Sequence, residues 1–261
     1  MPGADKKDIL YILSTVALFI VIGLYLAFTQ GQSLSNVVLI PFRNNSITPT
    51  TEGQSEEEIE ESNDEGDDYF AVLETNIGVL ELDLLEKNAP NSVENFVYLS
   101  ESKYYDGTSF HRFIPDLILQ GGSRNTLTPD KSDDKFGNPG YTINDEINWD
   151  SLELSDDQRN DLEKDGYKNN TDVTSVPLDK YTIAWANSEA DSNGSQFFIV
   201  LGERGEEKVR KLEGRHTVFA KVVKGQELLD EISKFEVDLS ILEEPRPTKD
   251  ITINTIKIEK R

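Results

Sequence analysis

The chain of 261 residues carries 49 acidic residues against 26 Lys and Arg, a formal net charge of −23 at pH 7. A surface that binds nucleic acid needs clustered cations, so this charge predicts no nucleic-acid partner. The chain has no cysteine, which excludes a disulfide framework, a thiolate metal site and a cysteine nucleophile. With 36% hydrophobic residues, this length is enough for one sizeable domain with appendages.

The N-terminal part of the chain contains an uncharged apolar run over residues 9–28. A helix needs about 20 such residues to cross a bilayer, so the run predicts a transmembrane helix. A cleaved signal peptide is the alternative, but its apolar region is shorter and ends at a small-x-small site. Lys6 and Lys7 precede the run and the next basic residue is Arg43. The positive-inside rule then predicts a single-pass membrane protein with residues 1–8 cytoplasmic and the rest extracytoplasmic.

Residues 29–68 are polar and end in an acidic stretch, residues 52–68, without Lys or Arg. Such a segment has too few apolar side chains to offset the entropy of ordering, and its like charges repel one another. We expect a disordered acidic tether. A calcium site is the alternative, but the EF-hand spacing with its central Gly and terminal Glu is missing.

The folded domain is predicted over residues 69–261 and opens with a β-hairpin, because apolar residues alternate on both sides of Asn76-Ile77-Gly78. From Pro90 the spacing becomes helical, with Asn91 or Ser92 available to cap the helix.

The C-terminal part of this domain contains a second short helix, predicted at residues 226–235, and an alternating run at residues 251–258 that predicts a closing strand. Many short strands with two helices favour a mainly β fold, a closed antiparallel barrel without exposed sheet edges. A polar insert at about residues 149–177 has room for a short helix but too few apolar residues for a domain. We expect it to be a surface excursion.

Two segments carry the most specific pattern in the chain. Residues 110–122 read Phe-His-Arg-Phe-Ile-Pro-Asp-Leu-Ile-Leu-Gln-Gly-Gly, and residues 183–199 include Asn-Gly-Ser-Gln-Phe-Phe-Ile. Together they resemble the cyclophilin family of peptidyl-prolyl cis-trans isomerases, and more closely its bacterial-type members. The resemblance spans residues 69–261 and implies an eight-stranded barrel capped by two α-helices, with the transmembrane helix ahead of it.

The chemistry that this family performs needs no nucleophile, metal or cofactor. Rotation about a peptide bond faces a barrier of about 18–20 kcal/mol, and X-Pro bonds exchange over tens to hundreds of seconds. A donor directed at the prolyl nitrogen weakens the conjugation of that bond. The resemblance implies that Arg112 is this donor and that Gln120 orients it or holds the substrate carbonyl.

The resemblance also implies a substrate-binding set and its partners. Phe198 matches the aromatic residue of the proline pocket, while Ala186, Asn187 and Gln196 match a groove that bonds the substrate backbone. The remaining implied substrate-binding residues are His111, Leu117, Ile118, Lys211, Leu212 and His216. We expect clients that are proline-containing polypeptides of exported or surface proteins, whose folding the enzyme assists, and a monomeric catalytic domain.

Several positions depart from the common family pattern. Leu117 and Ile118 replace Phe-Met, which keeps an apolar floor but loses an aromatic wall. Lys211 stands where a tryptophan is frequent, and this predicts weaker binding of the drug cyclosporin more than weaker catalysis. Glu189 replaces a small residue beside the neighbouring specificity pocket. It favours substrates with a basic residue ahead of the proline.

Two other functions remain open at this stage. The altered pocket residues are compatible with a module or chaperone that binds proline-containing segments without useful catalysis. A hydrolase that uses His111 or His216 with a nearby acid is the third possible function. Gly194-Ser195-Gln196, however, lacks the second glycine of a nucleophile elbow.

Overall fold

The structure is a computed structural model that describes residues 69–240 and 245–260. The predicted cytoplasmic segment 1–8, apolar run 9–28 and tether 29–68 lie outside these residues. In the described part of the chain no helix is long and apolar enough to cross a membrane. The longest α-helix there has 12 residues, or about 18 Å against roughly 30 Å of hydrocarbon. On this finding the predicted single-pass membrane localisation is wrong, and the membrane is removed from the predicted partners.

The domain opens with the predicted hairpin, formed by β1 (Tyr69–Thr75) and β2 (Gly78–Leu84). Every second residue is buried from Ala71 in β1 and from Leu80 in β2, as expected for strands with one face on a core. The Thr75 hydroxyl closes the turn, because it accepts from the main-chain N–H groups of Ile77 and Gly78 at 3.2 and 3.0 Å.

The other elements follow in chain order. The strands are β3 (Arg112–Ile114), β4 (Ile118–Gly121), β5 (Thr182–Trp185), β6 (Phe197–Val200), β7 (Val218–Lys224), β8 (Val237–Asp238), β9 (Arg246–Pro247) and β10 (Ile253–Lys260). The α-helices of the described residues are α1 (Pro90–Glu101), α2 (Asp156–Lys164), α3 (Glu207–Arg210) and α4 (Gln226–Ile232), and the 3-10 helices are η1 (Arg124–Leu127) and η2 (Lys131–Phe136). The predicted helices are therefore present as α1 and α4, but the described residues contain four α-helices rather than two.

Eight strands form one antiparallel sheet in the order β10-β1-β2-β7-β5-β6-β4-β3. The predicted eight-stranded antiparallel sheet is confirmed, but the predicted closure into a barrel is wrong. The two edges of the curled sheet meet near the isolated bridge between Ser109 and Thr252. Beyond it the Phe113 N–H donates to the carbonyl of Pro245 at 2.6 Å instead of to β10. Pro247, two residues further on, has no N–H with which to extend a ladder, and the sheet stays a half-barrel.

The core fills the concave side of this sheet under α1 and α4. Phe96 of α1 lies at its centre, with ring centroids 5.2 Å from Phe219, 5.8 Å from Phe197 and 6.4 Å from Trp185. Leu229 and Ile232 of α4 belong to the same buried cluster. Strand β6 separates this cluster from a second one, because successive side chains on a strand point to opposite faces. Phe197 packs in the core, and Phe198 packs in the second cluster.

The polar insert has more internal structure than its composition predicts. It contains α2, whose Ser155 N-cap and Gln158 form a reciprocal capping box. Six buried side chains form a small apolar cluster of their own; they are Ile147, Trp149, Leu152, Leu154, Leu162 and Tyr167. The predicted short helix is present, and the surface excursion carries its own small core.

A buried carboxylate from a distant part of the chain caps α1. Neither Asn91 nor Ser92 provides the predicted cap by its side chain; Glu146, which is 4% exposed, accepts from both of their main-chain N–H groups at 3.0 and 2.8 Å. An anion at this end also complements the helix dipole. The main-chain N–H of Glu146 donates to the Thr217 hydroxyl at 2.9 Å. Glu146 therefore ties α1 to the segment that enters β7.

Replacing Glu146 by Ala removes the acceptor of two helix N–H groups, of which the one of Ser92 is buried. We expect the free energy of unfolding to fall by about 2–3 kcal/mol, the size of hydrogen bonds to a charged group. Urea denaturation of the wild type and Glu146→Ala measures the change. Glu94→Ala, on the exposed side of α1, is the matched control and should leave the stability nearly unchanged. Equal stability of Glu146→Ala and the wild type would contradict the capping role.

Candidate active site

The two predicted catalytic residues face each other on the hairpin of β3 and β4. Arg112 pairs with Gln120 in the register of the two strands. Residues directly opposite in an antiparallel pair project from the same face, so the two side chains meet. The Arg112 Nη1 donates to the Gln120 Oε1 at 3.1 Å. The hairpin turns at Pro115–Leu117, and Asp116 there has a φ of 55°.

The register extends this pair into a row across the sheet. Gln120 lies opposite Phe198 on β6, and Phe198 lies opposite Ala184 on β5. We call Arg112, Gln120, Phe198 and Ala184 the cross-strand row. Neighbouring strands are about 4.8 Å apart, so only about 10 Å of sheet separates the arginine strand from the phenylalanine strand. The row places a cation, an amide and an aromatic ring on one face in that order.

A directional chain of amide hydrogen bonds holds Gln120. The Gln196 Nε2 donates to the main-chain carbonyls of Lys135 and Gly137 at 2.8 and 2.9 Å. With its NH₂ group committed, Gln196 presents its Oε1 to the Nε2 of Gln120 at 3.0 Å. That bond leaves the Gln120 Oε1 to accept from Arg112. The polarity of the whole chain is therefore set by two main-chain carbonyls.

Sequence reasoning missed these carbonyls because a side-chain motif does not report main-chain acceptors. Gly137 is the one signal in the sequence for them, because a glycine can mark a place where the main chain approaches another segment closely. A Cβ added there would lie 2.1 Å from the Ser123 hydroxyl oxygen and 2.9 Å from the Arg124 nitrogen. This glycine lets the segment after η2 approach close enough to offer its carbonyls to Gln196.

An apolar pocket surrounds Phe198 beside the amide chain. Phe198 is 2% exposed and belongs to the second buried cluster. Of the predicted pocket residues, Ile118 is buried in that cluster, while Leu117, Ala186 and Leu212 pack against it half-buried. This surface is apolar and suits a proline ring.

His216 forms the aromatic side wall of the pocket. Its ring meets that of Phe198 edge-on, with centroids 5.1 Å apart at 90°. Its Nδ1 lies 3.0 Å from the Trp185 carbonyl oxygen, which can only accept, so the Nδ1 carries the proton. Burial lowers the pKa of His216 to about 4, with smaller contributions from the charges of Arg215 and Arg112. The imidazole is therefore neutral at pH 7 and contacts no carboxylate through its Nδ1, unlike a hydrolase histidine.

The opposite wall is built by the segment that follows β5. The Ala186 N–H donates to the Gln196 carbonyl at 2.9 Å. The Asn187 Nδ2 donates to the carbonyl of Arg215 at 2.8 Å, so it links this wall to the loop that carries His216. From here a groove of about 790 Å³ runs between Gln196 and Glu189, with Phe136 and Tyr141 on its other side.

Phe136 and Tyr141 were not predicted as site residues. Phe136 is 63% exposed and Tyr141 39% exposed, which is high for aromatic side chains. The Tyr141 hydroxyl donates to the Asn95 Oδ1 at 2.7 Å, so α1 fixes its orientation. These aromatics line the groove rather than the pocket around Phe198.

Two predicted substrate-binding residues, His111 and Lys211, do not line the pocket. His111 is 2% exposed, so it supports the site from inside. Burial, followed by the charge of Arg246, lowers its pKa to about 4. Lys211 is exposed at the end of α3, where its Nζ pairs with the Glu207 Oε1 at 2.8 Å. It lies at the rim, beside Leu212.

Comparison with known proteins agrees with this geometry. A family model described as "Cyclophilin type peptidyl-prolyl cis-trans isomerase/CLD" matches residues 70–258. "Probable peptidyl-prolyl cis-trans isomerase A" of Mycobacterium bovis is 31% identical over 206 residues that cover 72% of this chain and 91% of the relative. "Peptidyl-prolyl cis-trans isomerase-like 2" of Cryptococcus neoformans is 32% identical over 189 residues, where the match covers 72% of this chain but spans 27% of that relative.

A solved structure extends the similarity to three dimensions. It is a cyclophilin-type peptidyl-prolyl cis-trans isomerase of Cryptosporidium parvum, crystallised in the presence of the dipeptide Ala-Pro. The two structures superpose with a TM-score of 0.54 at 25% identity, over 74% of this chain and 99% of the other. The relatives are both bacterial and eukaryotic, so the predicted bacterial subtype stays a prediction. The family model and these relatives show that the chain belongs to the cyclophilin-type peptidyl-prolyl cis-trans isomerase family.

Proposed function

We propose that this protein accelerates the cis-trans isomerisation of X-Pro bonds in polypeptides and so assists protein folding, with Arg112 and Gln120 as its catalytic residues. The observation that carries the proposal is the cross-strand row, in which a guanidinium oriented by Gln120 lies on the same face as the Phe198 pocket. The restriction to exported or surface clients depended on the corrected localisation and is not part of the proposal.

The proline ring of the substrate occupies the pocket of Phe198, Leu212 and His216. Burial of the ring anchors the prolyl side of the bond, while the residue ahead of the proline stays in the groove and rotates relative to it. Gln196, Ala186 and Asn187 line this groove, in which the substrate backbone lies. The pocket thus fixes one side of the rotating bond.

Arg112 lowers the barrier by donating to the prolyl nitrogen. As the bond twists, conjugation is lost and the nitrogen lone pair localises, so a charged donor binds the twisted form more strongly than the planar one. An arginine is always protonated and its planar fork is rigid. A gain of about 7 kcal/mol would accelerate the bond rotation by roughly five decades.

The direct test is magnetisation-exchange NMR on an Ala-Pro peptide with the full-length protein. Exchange that is faster with the protein supports the isomerase. Peptide binding without faster exchange would favour the alternative, a catalytically weak binding module or chaperone. No effect on either would contradict both functions.

Removing the proposed donor should reduce catalysis strongly. We expect Arg112→Ala to lower kcat/KM by about 10²–10³-fold, as for other donors that act on transition-state charge. Arg112→Lys should recover only part of this loss, because it keeps the charge but loses the fork. Arg204→Ala is the matched control, because Arg204 is an exposed arginine that pairs with Asp179 outside the site. Full activity in Arg112→Ala would refute the assigned role.

The activity should not depend on histidine ionisation near neutral pH. The pKa of His111 and of His216 is lowered from 6.5 to about 4, so kcat/KM should be flat from pH 8 to about pH 5. The unfolded chain binds these protons more readily than the folded protein. The stability that the two neutral histidines contribute is therefore complete above about pH 6.5 and is lost as the pH falls toward 4.

Activity assays and urea denaturation from pH 4 to pH 8 measure the two effects separately. A step in kcat/KM centred near pH 6.5 would contradict the lowered pKa of about 4 for His216.

Glu189 should give the enzyme a preference for a basic residue ahead of the proline. It lines the groove and is exposed, so the effect is modest and weakens with salt. Between peptides with Lys or Gln ahead of the proline, we expect kcat/KM to differ by about two- to fivefold in favour of Lys. Glu189→Gln should abolish the difference, whereas Glu101→Gln, on the exposed end of α1, should keep it. An unchanged preference in Glu189→Gln would remove this residue from substrate selection.

A further inference from the structure

The wall of the proline pocket is a loop, and it is held from behind by the polar insert. Leu212 and His216 contact the Phe198 cluster, and the three residues between them are Glu213, Gly214 and Arg215. The loop follows α3, and Gly214 there has a φ of 80°. A loop of this kind has little secondary structure to fix it, so its position depends on what packs against it.

Gly214 is in direct apolar contact with the insert. A Cβ added to it would lie 2.7 Å from a methyl carbon of Leu162 and 2.8 Å from one of Leu154. Both leucines belong to the small core of the insert and are 3% and 7% exposed. The absence of a side chain at 214 lets the insert close onto the main chain of the wall.

Arg215 adds two polar contacts to the same insert. Its Nη2 pairs with the Asp165 Oδ2 at 2.7 Å, directly after α2. Its guanidinium lies over the ring of Tyr167, 5.4 Å from the centroid. Its carbonyl accepts from Asn187, so this residue connects the insert with both walls of the site. Apolar, ionic and cation-π contacts therefore converge on two adjacent residues of the wall.

The insert is stiff enough to act as a support. Arg159 of α2 donates through its Nε to the Leu154 carbonyl at 2.9 Å and pairs with Asp150 at 2.6 Å. The capping box of α2 and the six-residue cluster add to these bonds. The leucines that press on Gly214 are therefore held within a small packed unit rather than on a free loop.

We propose that the insert is a brace that presets the proline pocket, and that Leu162 and Asp165 are positioning residues of the isomerase. The proposal rests on the proposed function and deepens it. A preset wall has little freedom to lose when the proline ring enters, which lowers the cost of binding. Arg112 and Gln120 lie on a different hairpin, so loosening the wall raises KM and leaves kcat almost unchanged.

Kinetics of two variants test the brace. We expect KM to rise about two- to fivefold in Asp165→Asn, which loses a partly exposed ion pair. In Leu162→Ala, which opens a cavity against Gly214, we expect a rise of about tenfold. The matched control is Lys164→Gln, which removes the neighbouring ion pair of Lys164 with Asp161 and leaves the pair of Asp165 with Arg215 in place. Unchanged KM in both variants, or a loss confined to kcat, would overturn the proposal.

A second readout reports the wall directly and needs no activity. The chain has two histidines, so NMR titration of the imidazole groups resolves His216 in the wall and His111 on the far side of the site. Leu162→Ala changes no charge, and Arg215 and Arg112, the charged groups nearest His216, remain. Water that enters behind a loosened wall should raise the pKa of His216 from about 4 toward 6.5, while His111 stays at about 4 as proof of an intact core.

The two readouts separate the failure of the brace from the failure of the proposed function. Absence of isomerase activity in the wild type would refute the function, while the titration of His216 would still test the brace. Unchanged titration of His216 in Leu162→Ala, with normal activity and normal KM, would refute the brace and leave the function intact.

Discussion

The register of the central strand β6 is the constraint on which the site depends. Both faces of β6 are buried, so its alternation commits Phe197 to the core and Phe198 to the pocket. Its pairing with β4 places Gln120 opposite Phe198, and the pairing of β4 with β3 then places Arg112. A shift of one residue would exchange the two faces, so Phe198 would enter the core and Phe197 would take its place in the pocket. The register of β6 therefore determines both the packing of the core and the geometry of the site.

The cross-strand row also contains a single charged side chain. Arg112 is the one cation of the cross-strand row, and its partners Gln120 and Gln196 are neutral amides whose polarity is set by main-chain carbonyls. Both histidines are kept neutral by burial. A reaction whose only charge development is a localising lone pair needs one fixed donor and surroundings that do not compete with it. The acidic residues, which dominate the composition, are not part of the row.

The local sequence predicts those parts of the structure whose cause is local. The hairpin of β1 and β2, helices α1 and α4 and strand β10 follow from alternation, helical spacing and turn residues. Arg112, Gln120 and Phe198 come together as the two motifs imply, because each lies on a strand of the same sheet. For these three residues, the sequence motifs and the pairing of the strands predict the same arrangement.

The features that the sequence does not predict arise from contacts between distant segments. Glu146 caps α1 from 55 positions away, where no capping pattern can reveal it. The six apolar residues of the insert are spread over residues 147–167 without one continuous helical or strand pattern, so the sequence does not predict that they form a cluster. Closure of the sheet fails locally, where Phe113 bonds to Pro245. The length and composition of the apolar run are all that the sequence provides for the membrane prediction. No helix of the described residues supports that localisation.

The separate core of the insert has a consequence for how the protein loses function on heating. Its six buried residues form a cluster distinct from that of the sheet, so the insert can open as a local unit while the sheet stays folded. Such an opening withdraws Leu154 and Leu162 from Gly214 and frees the loop behind His216. With the brace that we propose, loss of activity and melting of the sheet then occur at two different temperatures. If the insert braces the pocket as proposed, the working range of the enzyme depends on a small peripheral cluster rather than on the stability of the sheet that carries Arg112.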